Sequence, residues 1–314
     1  MKLQQTRECP AAAPETTDEM PFSSDTPGDT GSTLLSFFRE RLRCACADLI
    51  GGILYYSGII QLVVWIRRKV LKRGRLLIIV YHRVTRPCRG VADISISPQN
   101  FIEHLGYLLR RYRILSIDEC LNYVHTRTYP ERDSVLITLD DGYEDNYTNA
   151  FPELQKWGLP AAIFLTGDHI GKEQMLKEEQ IREMAGHNIT FGAHTMTHPL
   201  LSALDTVDIR REVWNAKTTI EKIINKPVRS FAYPFGSEGH FDRRAVAAVA
   251  HSGFNCAFTT IKDDVTVEHS LFELPRKVIA DFSMPAFSAK IEGVFDVMYT
   301  LRRALHRAHT TVRR

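Results

Sequence analysis

At 314 residues, with 44% apolar and 25% charged side chains, the chain can hold one globular domain of about 200 to 240 residues plus extensions. Its six cysteines, at 9, 44, 46, 88, 120 and 256, show neither a Cys-x-x-Cys pair nor framework spacing, and so do not argue for a secreted disulfide scaffold. A net charge of +3 without interleaved aromatics or a recognition motif argues against nucleic acid as a partner.

In chain order, residues 1–32 come first, rich in Pro, Thr, Ser, Asp and Glu, and they read as a disordered tail with no apolar stretch of the signal-peptide kind. Residues 33–75 form a hydrophobic or amphipathic helical segment with a basic end. Within it, residues 49–66 carry no charge, their strong apolar positions recur near helical period, and Arg67, Arg68, Lys69, Lys72, Arg73 and Arg75 follow at once. Three readings stay open: a helix lying in a membrane plane, a span that would keep the following domain cytoplasmic, or a helix docked on that domain and closing its bottom. Membrane or cell-envelope association follows from the first two.

Eight apolar, β-rich runs then occur at 76–82, 113–117, 134–139, 161–165, 188–193, 228–233, 256–260 and 273–279. Helical patterns fall between many of them: 98–112 behind a Ser97 cap, a short helix opened by Ser116 and Glu119 as a capping box, 149–157, 207–225 and 243–251. The alternation predicts an α/β fold with a parallel sheet, a distorted (β/α) barrel of seven or eight strands. His82, Asp140, Asp141, His194 and Tyr233 all fall at or just after strand ends, where such barrels gather their chemistry.

The run 135–143 ends in Asp140-Asp141-Gly142, an arrangement that can aim one carboxylate at a cation and keep its neighbour as a base. An acidic strand-to-turn junction would read the same way. About fifty residues on, Gly192-Ala-His-Thr-Met-Thr-His-Pro199 places two histidines four apart, a spacing that can face one side of a helical turn and share a metal. A strand-end Asp joined to His194 and His198 makes the ligand set of a catalytic centre for a divalent ion, zinc first, with nickel, cobalt or iron as alternatives. A third special backbone follows in Arg229-Ser-Phe-Ala-Tyr-Pro-Phe-Gly236.

These three motifs resemble those of the polysaccharide deacetylase family, carbohydrate esterase family 4, which read Thr-Phe-Asp-Asp-Gly, His-Ser/Thr-x-x-His and Arg-Pro-Pro-Tyr-Gly. Here they stand as 138–142, 194–198 and 232–236. Ala232 replaces the arginine that usually supports the catalytic Asp. The chain is more similar to the de-N-acetylases of biofilm poly-N-acetylglucosamine, which lack that arginine, carry a late Leu-Pro-Arg (Leu274-Pro275-Arg276 here) and an early Tyr-His (Tyr81-His82 here). The resemblance covers residues 76–279 and sets a deacetylase domain at 76–285.

The resemblance implies hydrolysis of the N-acetyl group of N-acetylhexosamine units in an exopolysaccharide or its lipid-linked precursor. Asp141, His194 and His198 would hold the metal, Asp140 would be the general base and His82 the general acid. Tyr233, through its backbone N–H, and Pro234 would face the oxyanion and substrate, and Arg276 would orient Asp140. His82 as a satisfied core histidine and Arg276 as a surface ion pair are the plainer readings. Tyr143 and Asn146, just past the Asp pair, read equally as sugar contacts or loop residues. A chitin- or peptidoglycan-type deacetylase and a non-catalytic carbohydrate-binding component of polysaccharide export are the alternatives. Residues 286–314 form a basic tail, suited to a membrane surface or anionic glycan or simply solvated. Oligomeric state is not legible.

Overall fold

The computed structural model describes residues 42, 45–87 and 94–294. The expectations for residues 1–32 and for the stretch 295–314 of the basic tail lie outside them.

Two helices open the described chain, α1 (Ala45–Tyr56) and α2 (Ile59–Leu71). Then come β1 (Leu76–Tyr81), the two-residue strands β2 (Arg83–Val84) and β3 (Ser95–Ile96), and α3 (Pro98–Arg111). Next are β4 (Arg113–Leu115), α4 (Ile117–His125), β5 (Ser134–Leu139), α5 (Phe151–Lys156) and β6 (Ala161–Leu165). The chain continues through α6 (Glu178–Met184), β7 (Ile189–Ala193), α7 (Thr206–Ile224), β8 (Ser230–Ala232), α8 (Arg243–His251), β9 (Cys256–Phe258), β10 (Lys277–Val278) and α9 (Met284–Ile291).

The eight strands expected from the sequence form one parallel sheet in the order β10-β1-β5-β6-β7-β8-β9, with β4 also on β5. Closure comes from the segment before β10: Leu274 bridges in parallel to Phe258 at the end of β9, while Lys277 and Val278 pair with β1. Seven strands therefore run around a distorted barrel. The distortion sits at β5, which pairs with β4 through its first three residues and reaches β6 only at Thr138 and Leu139.

Strand alternation divides the core in two. Leu76, Ile78, Leu136, Phe164, Phe258 and Leu274 fill the barrel interior, with Cys120 and Val124 of α4 packed on the same cluster. Leu77, Ile79, Ile137, Ile163 and Leu165 point outward beneath the helices. Thr138, Asp140 and Arg276 share the inward parity, which places polar groups where the interior cluster ends. The expected caps hold: Ser97 accepts from the Asn100 N–H, and Ser116 with Glu119 forms the capping box.

Two helices escaped the sequence reading, α6 and α9. The α9 helix crosses the expected domain edge at 285, with Phe287 and Ile291 fully buried in the outer core. The helical segment around residues 49–66 is broken at Ser57 and Gly58, where α1 and α2 bend by 69°. No single helix among the described residues is long and apolar enough to cross a membrane. One face of the pair docks on α9, since Ile60 and Val64 are buried with Ala289 and Val294. At Gly51 even a Cβ would meet the Ala286 Cα at 2.5 Å.

Candidate active site

The C-terminal strand ends bring the sequence-nominated residues together. Asp140 and Asp141 follow β5, His194 follows β7, and their side chains are nearly water-free, at 1%, 6% and 2% exposure. Asp141 adopts φ 72° and Gly142 φ 78°, so the chain turns left-handed straight after the strand. A Cβ at Gly142 would meet Leu165 Cδ2 at 2.5 Å, so any other residue would have to displace that side chain as well as adopt a left-handed backbone.

His194 and His198 do not sit on a helical turn. They lie in an irregular loop in which Thr195 (φ 64°) and His198 (φ 60°) are left-handed, and this fold-back brings the two rings to 4.9 Å between centroids. Of the eight non-glycine residues with positive φ among the described residues, four are in the site loops: Asp141, Thr195, His198 and Phe235. Such concentration of costly backbone is what a site held by its surroundings looks like. The surroundings are identifiable. The Glu212 carboxylate on α7 accepts from the N–H groups of Met196 and Thr197 at 2.9 and 2.8 Å, and the His198 N–H donates to Thr195 Oγ1 at 3.0 Å.

Asp141 Oδ1 lies 3.4 Å from His194 Nε2 and 3.5 Å from His198 Nε2, and the three ligand atoms all fall within 4.8 Å of one another. That oxygen is buried without a hydrogen-bond partner, a costly arrangement unless a cation meets it. His194 Nδ1 donates to the Ala232 carbonyl at 2.8 Å, which fixes the tautomer and leaves Nε2 as a lone pair facing Asp141. Burial, then the neighbouring His194, pushes His198 down to about 4, so its ring is neutral and able to ligate at ordinary pH. The donor set fits a divalent ion.

Asp140 is held from the other side. Arg276, fully buried, grips it through two parallel bonds of 2.7 Å and donates further to Thr138 Oγ1 and the Thr259 carbonyl. Burial alone would raise the Asp140 carboxyl, but the guanidinium and then His194 outweigh it and hold the group at about 2. The supporting arginine absent at Ala232 is thus supplied from the segment that closes the barrel. A surface ion pair it is not.

His82, following β1, is near enough for its charge to act on both Asp140 and His198. Its Nδ1 is buried without a partner, and its carbonyl accepts from Asn146 Nδ2 at 2.7 Å. Asn146 is therefore a buried clamp on the His82 backbone. The same segment holds the next residues: Asp145 accepts from Arg83 Nε and the Val84 N–H, both at 2.8 Å.

Tyr233 requires a correction. Its N–H donates to the Phe258 carbonyl at 3.0 Å, extending the β8–β9 pairing, and so is not available to an oxyanion. Its ring stacks on Phe241 at 4.2 Å and its hydroxyl donates to the Phe272 carbonyl, so Tyr233 is wall, not donor. Pro234 is buried beside it and has no N–H. Phe235 instead reaches the site, half exposed, with its ring 4.9 Å from that of His198. Sequence reasoning also missed Glu212, Asp145 and His169. The last, buried at the turn after β6, is electrostatically coupled to Asp141 and His194.

Comparison with known proteins agrees with the geometry. The polysaccharide deacetylase family profile matches residues 127–257. YxkH of Bacillus subtilis, named as a polysaccharide deacetylase, is 29% identical over 73% of this chain and 80% of its own. The poly-beta-1,6-N-acetyl-D-glucosamine N-deacetylase of Staphylococcus epidermidis is 25% identical over 71% of this chain and 85% of its own. The structure of IcaB from Ammonifex degensii shares the fold at a TM-score of 0.63 and 24% identity, over 70% of this chain and 97% of that one. With the family profile lying across the strands that carry both acidic and histidine motifs, residues 127–257 are identified as a polysaccharide deacetylase domain, of the amide hydrolases acting on N-acetyl groups.

Proposed function

We propose that this chain removes acetyl groups from N-acetylhexosamine units of a polysaccharide, an exopolysaccharide or its lipid-linked precursor, and that it needs a divalent metal ion to do so. The observation that carries the reading is the orphaned Asp141 Oδ1 facing two histidine Nε2 atoms beside an arginine-clamped Asp140. Asp141, His194 and His198 would hold the ion. Bound there, a divalent ion supplies Lewis-acid polarisation of an amide carbonyl and a lowered pKa for water.

The remaining work falls to side chains. Asp140, kept ionised by Arg276, accepts the proton of the attacking water. His82 as imidazolium gives a proton to the sugar nitrogen as the C–N bond breaks, so acetate and a free amine leave. Among the N–H groups of the loop after β8, that of Tyr233 is engaged with Phe258, Pro234 has none, and that of Gly236 donates to the Pro234 carbonyl. The reading assigns the oxyanion donor to the N–H of Phe235, which lies between these two and whose ring is against His198.

The Staphylococcus epidermidis relative is named for a β-1,6-linked N-acetylglucosamine polymer, which supports a polymer of that kind as the first substrate to try. The test is acetate release from N-acetylglucosamine oligomers by the full chain, after chelation and then after single additions of zinc, nickel, cobalt and ferrous ions. Metal-restored acetate release is the expected result. An ion bound at His194 and His198 with no acetate from any oligomer would end this reading.

A further inference from the structure

The docked faces of α1 and α2 leave their opposite faces uncovered among the described residues. On α1, Leu49, Ile53 and Tyr56 are 68%, 61% and 81% exposed, spaced along one side of the helix. On α2, Leu62, Trp65 and Ile66 continue the apolar surface. Scattered exposed hydrophobics are ordinary on a soluble surface, but a contiguous set on two consecutive helices is not.

The apolar surface runs directly into a basic one. Lys69 Nζ stands 5.4 Å over the Trp65 ring. Beyond it, a cavity of about 360 Å³ is lined by Arg68, Lys72, Arg73, Arg110, Arg111 and Arg132. Two acids share that lining, Glu131 and Asp133, and Asp133 is already paired with Arg67 and Arg68. A second groove of about 420 Å³, lined by Val64, Trp65, Lys69 and the shared Arg68 and Arg111, joins the cationic cavity to the apolar stripe. An occupant that is apolar on one side and anionic on the other is what this pattern matches.

We propose that α1 and α2 are an in-plane anchor on an anionic phospholipid bilayer, with the exposed apolar faces at the acyl boundary and lipid phosphates in the arginine-lined cavity. The proposal stands independently of the deacetylase reading. A span is disfavoured by the dock itself: Arg67 donates to Asp133 and Glu292 at 3.2 and 2.9 Å, which ties α2 to the start of β5 and the end of α9. Nor does a second copy of the chain suit the surface, because a two-fold contact would set the cationic rim against itself. In this arrangement α2 lies by the N-terminal strand ends at Arg75 and Asp133, and the catalytic loops occupy the other end of the barrel.

Trp65 supplies the reporter. The chain has three tryptophans, and Trp157 and Trp214 are exposed, so the full chain carrying Trp157→Phe and Trp214→Phe reports on Trp65 alone. Expected with phosphatidylglycerol-containing vesicles are a blue shift of Trp65 emission and quenching by lipids brominated high in the acyl chain. Pure phosphatidylcholine should bind at least tenfold more weakly. Adding Lys72→Glu and Arg73→Glu should weaken anionic-vesicle binding by about fivefold or more per charge lost, with the circular dichroism spectrum unchanged. Unchanged Trp65 emission on both vesicle types would overturn the proposal. So would resistance to alkaline carbonate extraction, which indicates a span, or a vesicle-free blue shift that follows concentration-dependent dimerisation.

Discussion

At the scale of single residues the decisive pair is Asp140 and Arg276, 1% and 0% exposed. Truncating one partner of such a pair leaves a buried charge, at a cost of about 3–5 kcal/mol, whereas replacing both removes the problem. Arg276→Met alone should therefore unfold at markedly lower urea than the parent, and Asp140→Asn in the same chain should recover much of the loss. Equal stability of single and double variants would show that lost packing, not the stranded carboxylate, sets the cost. Asp140→Asn by itself should abolish acetate release while zinc content stays near the parent's, since the ligand atoms lie on Asp141, His194 and His198. Those three, with Asp140, were legible because the chemistry is written in short motifs. Glu212 was not, because a carboxylate that holds the backbone of Met196 and Thr197 from another element leaves no spacing signature.

Glu212 acts at the scale of elements, tying the histidine loop to α7. Glu212→Gln keeps the shape but weakens three bonds that fold the loop back, and partners of this kind commonly cost 10–100-fold in metal affinity. Zinc titration calorimetry should show a weakened Kd within that range, with unfolding displaced far less; an unchanged Kd would remove Glu212 from the account of the site. A second element joint, α3 against α9, is built on His104, which stacks on Phe287 at 3.7 Å and donates from Nε2 to the Phe282 carbonyl. Burial pushes His104 down to about 3, whereas an unfolded histidine titrates near 6.5. The unfolded chain therefore holds the extra proton between these values, so stability is full above about 6.5 and falls by about 1.4 kcal/mol per pH unit below it. His104→Gln should reduce the slope between pH 6.5 and 5 by about 1.4 kcal/mol per pH unit, leaving the part that His198 contributes, as measured by urea unfolding at fixed pH values. The strands were readable from apolar runs bounded by turn residues, and the helices from caps such as Ser97 and Ser116. The α9 helix, Met-Pro-Ala-Phe-Ser-Ala-Lys-Ile, escaped because a helix buried on most faces shows no polar stripe. The histidine loop was misread as a helical turn because left-handed Thr195 and His198 are imposed by tertiary contacts, not by local preference.

At the scale of the whole molecule, the barrel separates the candidate active site from the docked helix pair. The segment 271–278 closes the sheet and delivers Arg276 to the catalytic end, while Arg67 of α2 reaches two carboxylates at the opposite side, Asp133 and Glu292, 3% and 4% exposed. Arg75 also serves both, its N–H donating to Asp133 at 2.9 Å and its guanidinium lying 3.7 Å from Glu292, so losing Arg67 weakens the cluster without emptying it. Arg67→Met should then cost about 2–3 kcal/mol, less than a fully stranded pair, and lower Tm by roughly 5–10 °C in a domain of this size. Because none of these groups touches Asp140 or the histidine cluster, kcat for acetate release, measured well below the new Tm with the metal restored, should stay within about twofold of the parent. A large fall in kcat with little change in Tm would mean that the two ends of the barrel are coupled, and that the helix pair does more than hold the domain in place.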